Sequence, residues 1–571
     1  MIKNEDVVHI LDEIADILEL KGENKFQINA FRKAARTIDG LLEDISVVAE
    51  EERLKELPGI GEGIAKKIIE LLEDGELMYY EDLKRSIPSG LLEMIKIQGL
   101  GPNKVRKLYE ELGIEDIEAL KTAAMNKKLR GLTGFGAKTE ENIIKGIEQY
   151  RKNIERVPIG IAMLYAESII ANLKDLESVS EITYAGSLRR MRETIGDIDI
   201  LISSQDSRPV IDAFIGLKGV SNVLARGDTK SSVIMNGIHV DLRVIKPDSF
   251  GAALQYFTGS KEHNVRLRDL ALRRGLKVNE YGVYQGEEKI AGVSEEGIYQ
   301  SIGLGYIPPE LREDKGEIEA ALRGDLPDLI ELGDIKGDLH IHSDYSDGKR
   351  SIEEMARAAK SRGYEYIVIS DHSPAVTIAS GPSREDLKKQ IKIIRDLNRD
   401  FDGFRIFTST EVDIRPDSSL DFDDDILGEL EIVVAAVHSK FSMDEDSMTD
   451  RIISAIKNPN VDILAHPTGR LLGRRDPYKV NMKRVIDVAK RTDTVLELNA
   501  SPRRLDLNDM HCKQAVDAGI KIAISTDSHD TYQMAFMKYG IGTARRAWLK
   551  KEDVVNTRSL ESLIDFFEIE G

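Results

Sequence analysis

Residues 181–203, EITYAGSLRRMRETIGDIDILIS, contain the pattern that decides the fold of the central part of the chain. A strand-like stretch leads into a Gly-Ser turn and two arginines, Arg189 and Arg190, and the segment ends in the alternating run GDIDILIS. Because side chains two apart on a strand point to the same face, Asp197 and Asp199 should share one face and the isoleucines the other. The pattern predicts a strand that presents two carboxylates beside an arginine-bearing turn.

A third carboxylate, Asp241, lies in a second strand-like run, IHVDLRVI, at residues 238–245. Three carboxylates that converge from adjacent strands repel one another unless cations neutralise them, and hard divalent cations prefer oxygen ligands. An isolated Asp-x-Asp is usually a solvated strand edge. Here it follows a Gly-Ser-x-Arg-Arg loop suited to triphosphate oxygens, so the sequence favours two metal ions about 4 Å apart.

Three similar segments precede this region: 56–72 (ELPGIGEGIAKKIIELL), 97–112 (IQGLGPNKVRKLYEEL) and 132–147 (LTGFGAKTEENIIKGI). Each has a Gly-apolar-Gly turn followed by an amphipathic helix, as in the helix-hairpin-helix motif. Glycine permits a tight turn with positive φ, and the helix N-terminus presents free N–H groups to an anion. One copy would be an ordinary capped connector, but three copies favour binding of DNA phosphates without reading of bases. The glycine pairs are Gly59/Gly61, Gly99/Gly101 and Gly134/Gly136.

Downstream, residues 256–284 read YFTGSKEHNVRLRDLALRRGLKVNEYGVY. Together with the glycine hairpins, the Gly-Ser-x-Arg-Arg loop, the Gly-Asp-Ile-Asp run and Asp241, these motifs occur in the order found in family X DNA polymerases, the DNA polymerase beta group. Over about residues 1–315 the chain therefore resembles that family.

The resemblance implies a role for each matching residue. The catalytic Mg²⁺ or Mn²⁺ ions would be held by Asp197, Asp199 and Asp241. The triphosphate would be bound by Gly186, Ser187, Arg190 and Gly196. The sugar would be crowded, and a 2′-hydroxyl rejected, by Tyr256, Phe257 and Gly259. Asn264 would meet the nascent base pair from its minor-groove side, and Arg268 would support the templating strand.

A 5′-deoxyribose phosphate lyase is a further activity found in this family, and Lys67 matches its Schiff-base lysine. Such a lysine needs a pKa lowered by burial or by nearby cations. The chain departs from the lyase pattern at Phe26 and Gln27, where the family has a His-Lys pair. Lys67 is therefore either the lyase nucleophile or a helix lysine near a phosphate.

The composition sets limits on these interpretations. The chain has 571 residues, 41% apolar and 32% charged, a formal net charge of −20 and one cysteine, Cys512. The length predicts three or four domains, and the single cysteine excludes a disulfide framework or thiolate zinc cluster. The acidic charge argues mildly against DNA binding, but basic clusters such as 126–130 and carboxylate metal sites weaken that objection. Without a signal-peptide pattern or a long apolar run, a cytoplasmic protein is expected.

The C-terminal third alternates seven short apolar runs with helical stretches, which predicts a closed parallel barrel of seven strands. Nearly every run ends in His, Asp or Glu, at the end where barrel enzymes keep their active sites. Clustered imidazoles and carboxylates suit Zn²⁺, Mn²⁺ or Fe²⁺. The nine potential ligands are His340, His342, Asp347, His372, Glu411, His438, His466, Asp527 and His529.

These motifs resemble the PHP (polymerase and histidinol phosphatase) family over about residues 336–571. The resemblance implies three metal ions. The first would use His340, His342, Glu411 and Asp527; the second Glu411, His438 and His466; the third Asp347, His372 and His529. Arg415, Arg470 and Arg503 are phosphate-binding candidates or solvated surface arginines. The other four histidines, His9, His239, His263 and His511, are expected to lack such histidine and carboxylate partners.

The sequence thus predicts a multidomain α+β and α/β protein. The expected parts are a helical region at 1–150, a polymerase palm with thumb at 151–315, a linker at 316–335 and a PHP (β/α)7 barrel at 336–571. The expected function is gap-filling DNA synthesis in repair, with 3′–5′ exonuclease and abasic-site endonuclease activity, by a monomer acting on gapped or primer–template DNA and dNTPs. Two alternatives are a polymerase whose PHP part is a small-molecule phosphatase or structural domain, and a noncatalytic DNA-end scaffold.

Overall fold

The computed structural model describes residues 4–39, 41, 45–75, 77–97, 99–154, 156–376 and 379–569. The chain forms two compact units. The first comprises Met1–Glu155 with the short segments Ala375–Ile378 and His438–Phe441, and the second comprises Arg156–Pro374, Ala379–Val437 and Ser442–Gly571. Among the described residues, every helix is too short or too polar to cross a lipid bilayer.

The first unit is helical, as predicted. Its helices are α1 (Asn4–Leu20), α2 (Lys25–Asp39), α3 (Ile45–Glu50), α4 (Glu62–Asp74), α5 (Met78–Arg85), α6 (Ser89–Ile95), α7 (Pro102–Leu112), α8 (Ile117–Met125) and α9 (Ala137–Ile154). Their apolar faces form two buried clusters, one drawn from residues 7–83 and the other from residues 20–147. Amphipathic helices of this length depend on such packing, because isolated short helices are marginal in water.

The second unit begins with a mixed sheet. The elements of this region are β1 (Val157–Pro158), α10 (Ile159–Leu173), β2 (Glu181–Tyr184), α11 (Gly186–Arg189), β3 (Thr194–Ile195), β4 (Asp197–Ser203), α12 (Ser207–Ile215), β5 (Val220–Arg226), β6 (Lys230–Met235) and β7 (Ile238–Ile245). Strands β1 and β3 pair with each other in a separate two-stranded sheet. The sheet order is β2-β4-β7-β6-β5, in which only β4 and β7 run parallel. Ile198 and Ile200 are buried in the core beneath the sheet, as the alternation predicts.

A small helical and antiparallel region follows the mixed sheet. It contains α13 (Phe250–Thr258), α14 (Lys261–Arg273), β8 (Leu276–Asn279), β9 (Gly282–Gln285), β10 (Glu288–Ala291), α15 (Glu295–Ser301) and α16 (Glu317–Arg323). Residues 316–335, the predicted linker, pack against both the region before them and the C-terminal part. Glu317 pairs with the buried His263 at 2.7 Å, and the Ile330 amide donates to the Leu549 carbonyl at 3.0 Å.

The C-terminal part alternates strands and helices. Its elements are β11 (Gly337–Ile341), α17 (Ile352–Ser361), β12 (Tyr366–Ile369), α18 (Arg384–Leu397), β13 (Arg405–Thr408), β14 (Glu411–Asp413), α19 (Asp424–Leu427), β15 (Val434–Ala436), α20 (Glu445–Ile456), β16 (Ile463–Leu464), α21 (Met482–Thr492), β17 (Val495–Asn499), α22 (Asp509–Asp517), β18 (Ile522–Ser525), α23 (Met537–Arg546) and α24 (Leu560–Phe566).

These C-terminal strands pair in parallel as β11-β12-β13 and β14-β15-β16-β17-β18. The two sets are connected by a bridge between His372, just after β12, and Glu411 of β14, and by a second between Ile341 of β11 and Ser528, just after β18. With β13 and β14 as successive parts of one strand, this order is consistent with the predicted seven-stranded barrel. The strands are buried on both faces, which is why they read as continuous apolar runs.

Candidate active sites

The glycine hairpins of the first unit have the predicted turn-and-helix geometry. The first glycine of each pair has left-handed φ: 93° at Gly59, 89° at Gly99 and 94° at Gly134. The second glycine precedes the helix, as the N-cap of α4 at Gly61 and of α7 at Gly101. Gly136 likewise accepts the Glu140 amide at the start of α9, at 3.0 Å. Each turn leaves the first N–H groups of a helix available to an anion.

Lys67 lies on α4 and is half-buried. Its Nζ lies 4.4 Å from the centroid of the Tyr79 ring, and Gln27 Nε2 donates to the Tyr79 hydroxyl at 3.1 Å. Phe26 is 86% exposed. The structure thus brings Gln27 and Lys67 to the same tyrosine, and the basic pair of the lyase pattern is absent from this position.

The three acidic residues of the mixed sheet come together across β4 and β7. Asp199 is the register partner of Asp241, and Asp197 is the partner of His239. Lys230 Nζ lies 2.7 Å from Asp241 Oδ2, and His239 Nε2 lies 3.2 Å from Asp241 Oδ1. The expectation that His239 has no acidic partner is wrong, because the parallel register places it beside Asp241.

The electrostatics of this cluster favour a cation. Burial, with the neighbouring charges of Asp197 and Asp241, raises the pKa of Asp199 to about 7. Burial also opposes ionisation of Asp241, but hydrogen bonds from Lys230 and Ser232 hold the pKa of Asp241 below its usual value. One carboxylate is thus already neutralised by a lysine while another resists ionisation. Divalent cations with oxygen ligands fit this donor set.

A cavity of about 430 Å³ opens beside these carboxylates. Among its lining residues are most of those predicted to bind the nucleotide: Gly186, Ser187, Arg190, Asp197, Asp199, Tyr256, Phe257, Gly259, Asn264 and Arg268. Gly196, although predicted, is not part of this lining. Arg156, Thr258 and Lys261 also line the cavity. Sequence reasoning missed Arg156, which lies outside the motifs, and Lys261, which follows the YFTGS motif directly.

The turn at Gly186 and Ser187 is shaped for close approach of a ligand. Gly186 has φ of +61°, and a Cβ there would lie 2.2 Å from Asp199 Oδ2. Only glycine therefore allows the turn and the carboxylate to occupy this space. The Ser187 hydroxyl is buried and has no hydrogen-bond partner among the described residues. A buried hydroxyl without a partner beside an arginine fits an anionic ligand such as a phosphate.

The other predicted nucleotide-binding residues are held by the chain itself. Asn264 receives a hydrogen bond from Gln255 Nε2 at 2.8 Å and donates to the Tyr256 carbonyl at 2.7 Å. The Arg243 guanidinium lies 4.2 Å from the Phe257 ring centroid. Arg268 Nε donates to the Asn264 carbonyl at 3.2 Å. These contacts fix the aromatic pair and α14 at one wall of the cavity.

The second cluster lies at the carboxyl ends of the parallel C-terminal strands. His342 Nε2 lies 3.1 Å from Asp527 Oδ1, and His466 Nε2 lies 2.8 Å from Glu411 Oε1. His372 Nδ1 lies 2.8 Å from Glu411 Oε2. On the same rim, His529 Nε2 lies 3.1 Å from Asp347 Oδ1. His438 follows β15 by two residues.

Within the described residues of the second unit, potential ligand atoms form two groups. In each group, the ligand atoms all lie within 4.8 Å of one another. One joins His340, His342 and Asp527, which belong to the first predicted metal. The other joins Asp347, His372 and His529, the third predicted metal, and adds His342. His342 belongs to both groups, a sharing that the spacing of the motifs does not reveal.

The charges in this cluster are polarised. Burial, reinforced by His529 and His372, lowers the pKa of His342 to about 3, so its ring is neutral. Burial opposes a charge on His340, but Glu497, Glu411 and Asp527 raise its pKa well above the usual value. His342 Nδ1 is buried and without a hydrogen-bond partner among the described residues. A neutral, partly unpartnered imidazole among carboxylates is a donor set that fits transition metals.

Three further residues support this cluster and were not predicted. Glu497 Oε1 lies 2.8 Å from His340 Nδ1, and Glu497 Oε2 accepts the His466 amide at 2.7 Å. Asp527 Oδ2 lies 3.3 Å from Arg504 Nε and accepts a hydrogen bond from Asn499 Nδ2 at 3.1 Å. The other oxygen of Asp527, Oδ1, faces His342. Such outer contacts orient metal ligands. The only sequence signal was the polar ending of VLELNA, residues 495–500.

The predicted phosphate-binding arginines differ in their surroundings. Arg415 pairs with Asp421. Arg470 is buried and pairs with Glu193 at 2.7 Å, so the alternative of a solvated surface arginine is wrong for this residue. Arg503 is exposed. The structure places the neighbouring Arg504, rather than these three, against a predicted ligand.

Known families match four parts of the chain. The helix-hairpin-helix domain matches residues 2–77, and the SAM-like helix-hairpin-helix tandem matches residues 91–149. The DNA polymerase beta thumb matches residues 253–313. The PHP domain matches residues 338–501. These matches agree with the resemblances drawn from the motifs.

Three relatives illustrate the similarity. The DNA polymerase/3′-5′ exonuclease PolX of Bacillus subtilis (strain 168) is 42% identical over 568 residues, 99% of each chain. A "Probable phosphatase" of Thermoanaerobacter sp. (strain X514) is 29% identical over 38% of this chain and 89% of its own length. DNA polymerase lambda of Rattus norvegicus is 24% identical over 54% of this chain and 56% of its own. This chain belongs to the family X DNA polymerases that carry helix-hairpin-helix modules and a C-terminal PHP domain.

Proposed function

We propose that this protein fills short gaps during DNA repair and that its PHP module trims DNA 3′ ends as a 3′–5′ exonuclease. The observation that carries the polymerase half is the pairing of Asp199 with Asp241 beside a cavity that holds Ser187 and Arg190. The full-length similarity to a polymerase/3′-5′ exonuclease supports both halves.

In the polymerase site, Asp197, Asp199 and Asp241 would hold two Mg²⁺ or Mn²⁺ ions. These ions would supply activation of the primer 3′-hydroxyl and neutralisation of charge on the pyrophosphate leaving group. Ser187 and Arg190 would bind triphosphate oxygens, because a buried hydroxyl and a fixed guanidinium are strong phosphate donors. The sugar would pack against Tyr256, Phe257 and Gly259. The base pair would be contacted by Asn264 and the template by Arg268. Gly196 would lie beside the phosphates.

In the PHP site, the nine predicted residues would hold up to three Zn²⁺, Mn²⁺ or Fe²⁺ ions. The ions would supply Lewis-acid activation of a water molecule for attack on a phosphodiester. Glu497 fixes His340 with Nδ1 toward the carboxylate, and Arg504 holds the outer oxygen of Asp527. These two contacts would thus orient the metal-binding side chains His340 and Asp527 before DNA binds. The same site would also cleave abasic DNA.

The glycine hairpins would bind DNA phosphates at Gly59, Gly61, Gly99, Gly101, Gly134 and Gly136. Such contacts position DNA without reading its sequence, which suits a repair enzyme that meets gaps anywhere. We infer a monomeric enzyme acting on gapped or primer–template DNA with dNTPs. The proposed domains are those predicted from the sequence: 1–150, 151–315, 316–335 and 336–571.

The test uses a labelled primer on a one-nucleotide gap with Mn²⁺, with and without dNTPs. We expect extension with dNTPs and shortening without them. Asp197→Ala should remove extension and keep shortening, and His466→Ala should do the reverse. Matched controls are Asp228→Ala, an exposed aspartate of the same sheet's β5–β6 turn, and His511→Ala, a histidine of α22. Extension by Asp197→Ala, or primer shortening by His466→Ala, would refute the corresponding half.

The alternative that the PHP module is a small-molecule phosphatase is tested in parallel by comparing hydrolysis of histidinol phosphate with that of a primer. A PHP module that hydrolyses histidinol phosphate faster than a primer would replace the exonuclease proposal. The exonuclease activity in the name of the full-length Bacillus subtilis relative favours the primer.

A further inference from the structure

We propose that Arg546, on helix α23 of the PHP module, is a positioning residue for the polymerase site, because it holds the nucleotide-binding Arg190 through Glu313. This inference rests on the proposed polymerase function and assigns the PHP module a role in dNTP binding that its own chemistry does not require.

Glu313 is shared by arginines from both modules. Glu313 Oε1 accepts hydrogen bonds from Arg190 Nε at 3.1 Å and from Arg546 Nη1 at 2.9 Å. The side chains are little exposed: 13% for Arg190, 12% for Glu313 and 6% for Arg546. Charge-assisted hydrogen bonds that are shielded from water in this way are stronger than surface ion pairs.

A second set of contacts holds the backbone of the same loop. Arg546 Nη1 also donates to the Arg190 carbonyl at 2.9 Å. The next residue, Met191, has left-handed φ of 53° and packs on Gly542 of α23, where a Cβ would lie 2.4 Å from Met191 Cε. The loop that carries the proposed triphosphate-binding turn therefore contacts α23 of the PHP module in two ways: its backbone accepts a hydrogen bond from Arg546, and its Met191 side chain packs on Gly542.

Arg190 is in turn oriented toward the cavity. Its Nε is held by Glu313, and its Nη1 donates to the Thr258 carbonyl at 2.5 Å. Thr258 and Arg190 both line the cavity beside the catalytic carboxylates. Without Arg546, Glu313 would be drawn toward Arg192, whose Nη1 lies 3.5 Å from Glu313 Oε2. The plane of the Arg190 guanidinium would then no longer be fixed before the nucleotide binds.

Arg546 is anchored on the PHP side as well. Its Nη2 donates to Asp509 Oδ2 at 3.0 Å, next to Lys315 Nζ at 3.5 Å from the same oxygen. The adjacent Arg545 provides a natural comparison. It pairs with Glu310 at 2.7 Å and donates to the Ile330 carbonyl at 3.0 Å, so it joins the same modules without contacting the nucleotide loop.

The experiment compares Arg546→Met with Arg545→Met in the full chain, on the gapped substrate with dNTP varied. We expect Arg546→Met to raise KM for dNTP about ten-fold, within the usual range of coupling between two sites, with kcat changed less than about two-fold. Arg545→Met should leave KM within about two-fold of wild type. Arg546→Lys, which keeps the charge but has one donor group, should recover part of the loss.

Primer shortening by Arg546→Met reports that the PHP module carrying α23 remains folded. Unchanged KM in Arg546→Met, or an equal rise in Arg545→Met, would overturn the inference. Absence of extension by the wild-type enzyme would instead refute the proposed polymerase, so the two failures are distinguishable.

Discussion

Asp199 of β4 and Asp241 of β7 are register partners on adjacent parallel strands, although 41 residues separate them in the chain. Their pKa values diverge: that of Asp199 rises to about 7, while that of Asp241 falls under the influence of Lys230 and Ser232. The metal-free sheet is therefore strained electrostatically at the place where cations are expected to bind.

This divergence predicts a pH dependence. The native state keeps a proton on Asp199 up to about pH 7, whereas the unfolded chain loses it near its usual pKa of 3.8. The stability contributed by this group is therefore present at low pH and falls as pH rises from about 4 to 7. In metal-free protein at pH 8, Asp199→Asn should stabilise the sheet by up to about 4 kcal/mol, and by less at pH 5.

Amide hydrogen exchange of β4 and β7 measures this local stability. Asp228→Asn, a change of the same kind at an exposed position, serves as control. Saturating Mg²⁺ should remove the advantage of the variant, because cations replace the proton. Equal protection of wild type and variant at pH 8 would contradict the prediction.

Gly186 is expected to be essential for synthesis. In Gly186→Ala the new Cβ would lie 2.2 Å from Asp199 Oδ2, so the carboxylate must move from its position opposite Asp241. We expect kcat for gap filling to fall at least about 100-fold, because misplacement of a catalytic group by about 1 Å has effects of this size. Gap-filling rates at saturating dNTP measure it.

The control is Gly237→Ala, in the turn between β6 and β7. Gly237 also has positive φ, 81°, but a Cβ there meets nothing within 4 Å. Similar losses in both variants would mean that backbone strain alone, and not the contact with Asp199, is responsible.

Glu497 is expected to tune metal binding by the PHP module. Glu497→Gln keeps the shape but removes the charge that faces His340 Nδ1, so His340 becomes a weaker donor. Outer-contact substitutions of this type typically cost about 10–100-fold in metal affinity. Competition with a chelator, read as retained Zn²⁺ or Mn²⁺, measures the change. Glu561→Gln on α24 is the matched control, and equal metal retention by the Glu497 variant would exclude the role.

The glycine hairpins are expected to bind DNA irrespective of sequence. Gly99→Ala combined with Gly134→Ala places side chains at φ of 89° and 94°, which disturbs two of the turns proposed to bind phosphates. Affinity for gapped DNA should fall about ten-fold on every sequence, with a smaller dependence on salt. Fluorescence anisotropy at two salt concentrations measures both.

The control variant is Gly113→Ala. Gly113 has φ of 63° at the C-terminus of α7, outside the hairpin turns, and a Cβ there meets nothing within 4 Å. An equal loss of affinity in this variant would attribute the effect to helix destabilisation.

Lyase activity is expected to be weak, because Phe26 and Gln27 lack the cationic groups of the lyase pattern and Lys67 lies against Tyr79. Borohydride trapping on 5′-deoxyribose phosphate DNA should give little covalent product. Introducing the basic pair by Phe26→His with Gln27→Lys should raise trapping several-fold, and adding Lys67→Ala should remove it. Trapping that persists without Lys67 would assign the chemistry to another amine.

The sequence by itself determined the features that depend on local geometry. Strand alternation places Asp197 with Asp199, and the Gly-apolar-Gly pattern predicts the positive φ of Gly59, Gly99 and Gly134, because both follow from the backbone of a few neighbouring residues. Only the tertiary structure decided the pairing of Asp199 with Asp241, of Glu497 with His340 and of Arg546 with Glu313. Such contacts join residues far apart in the chain. Their geometry is set by strand register and by the packing of helices on sheets, which no short stretch of sequence encodes.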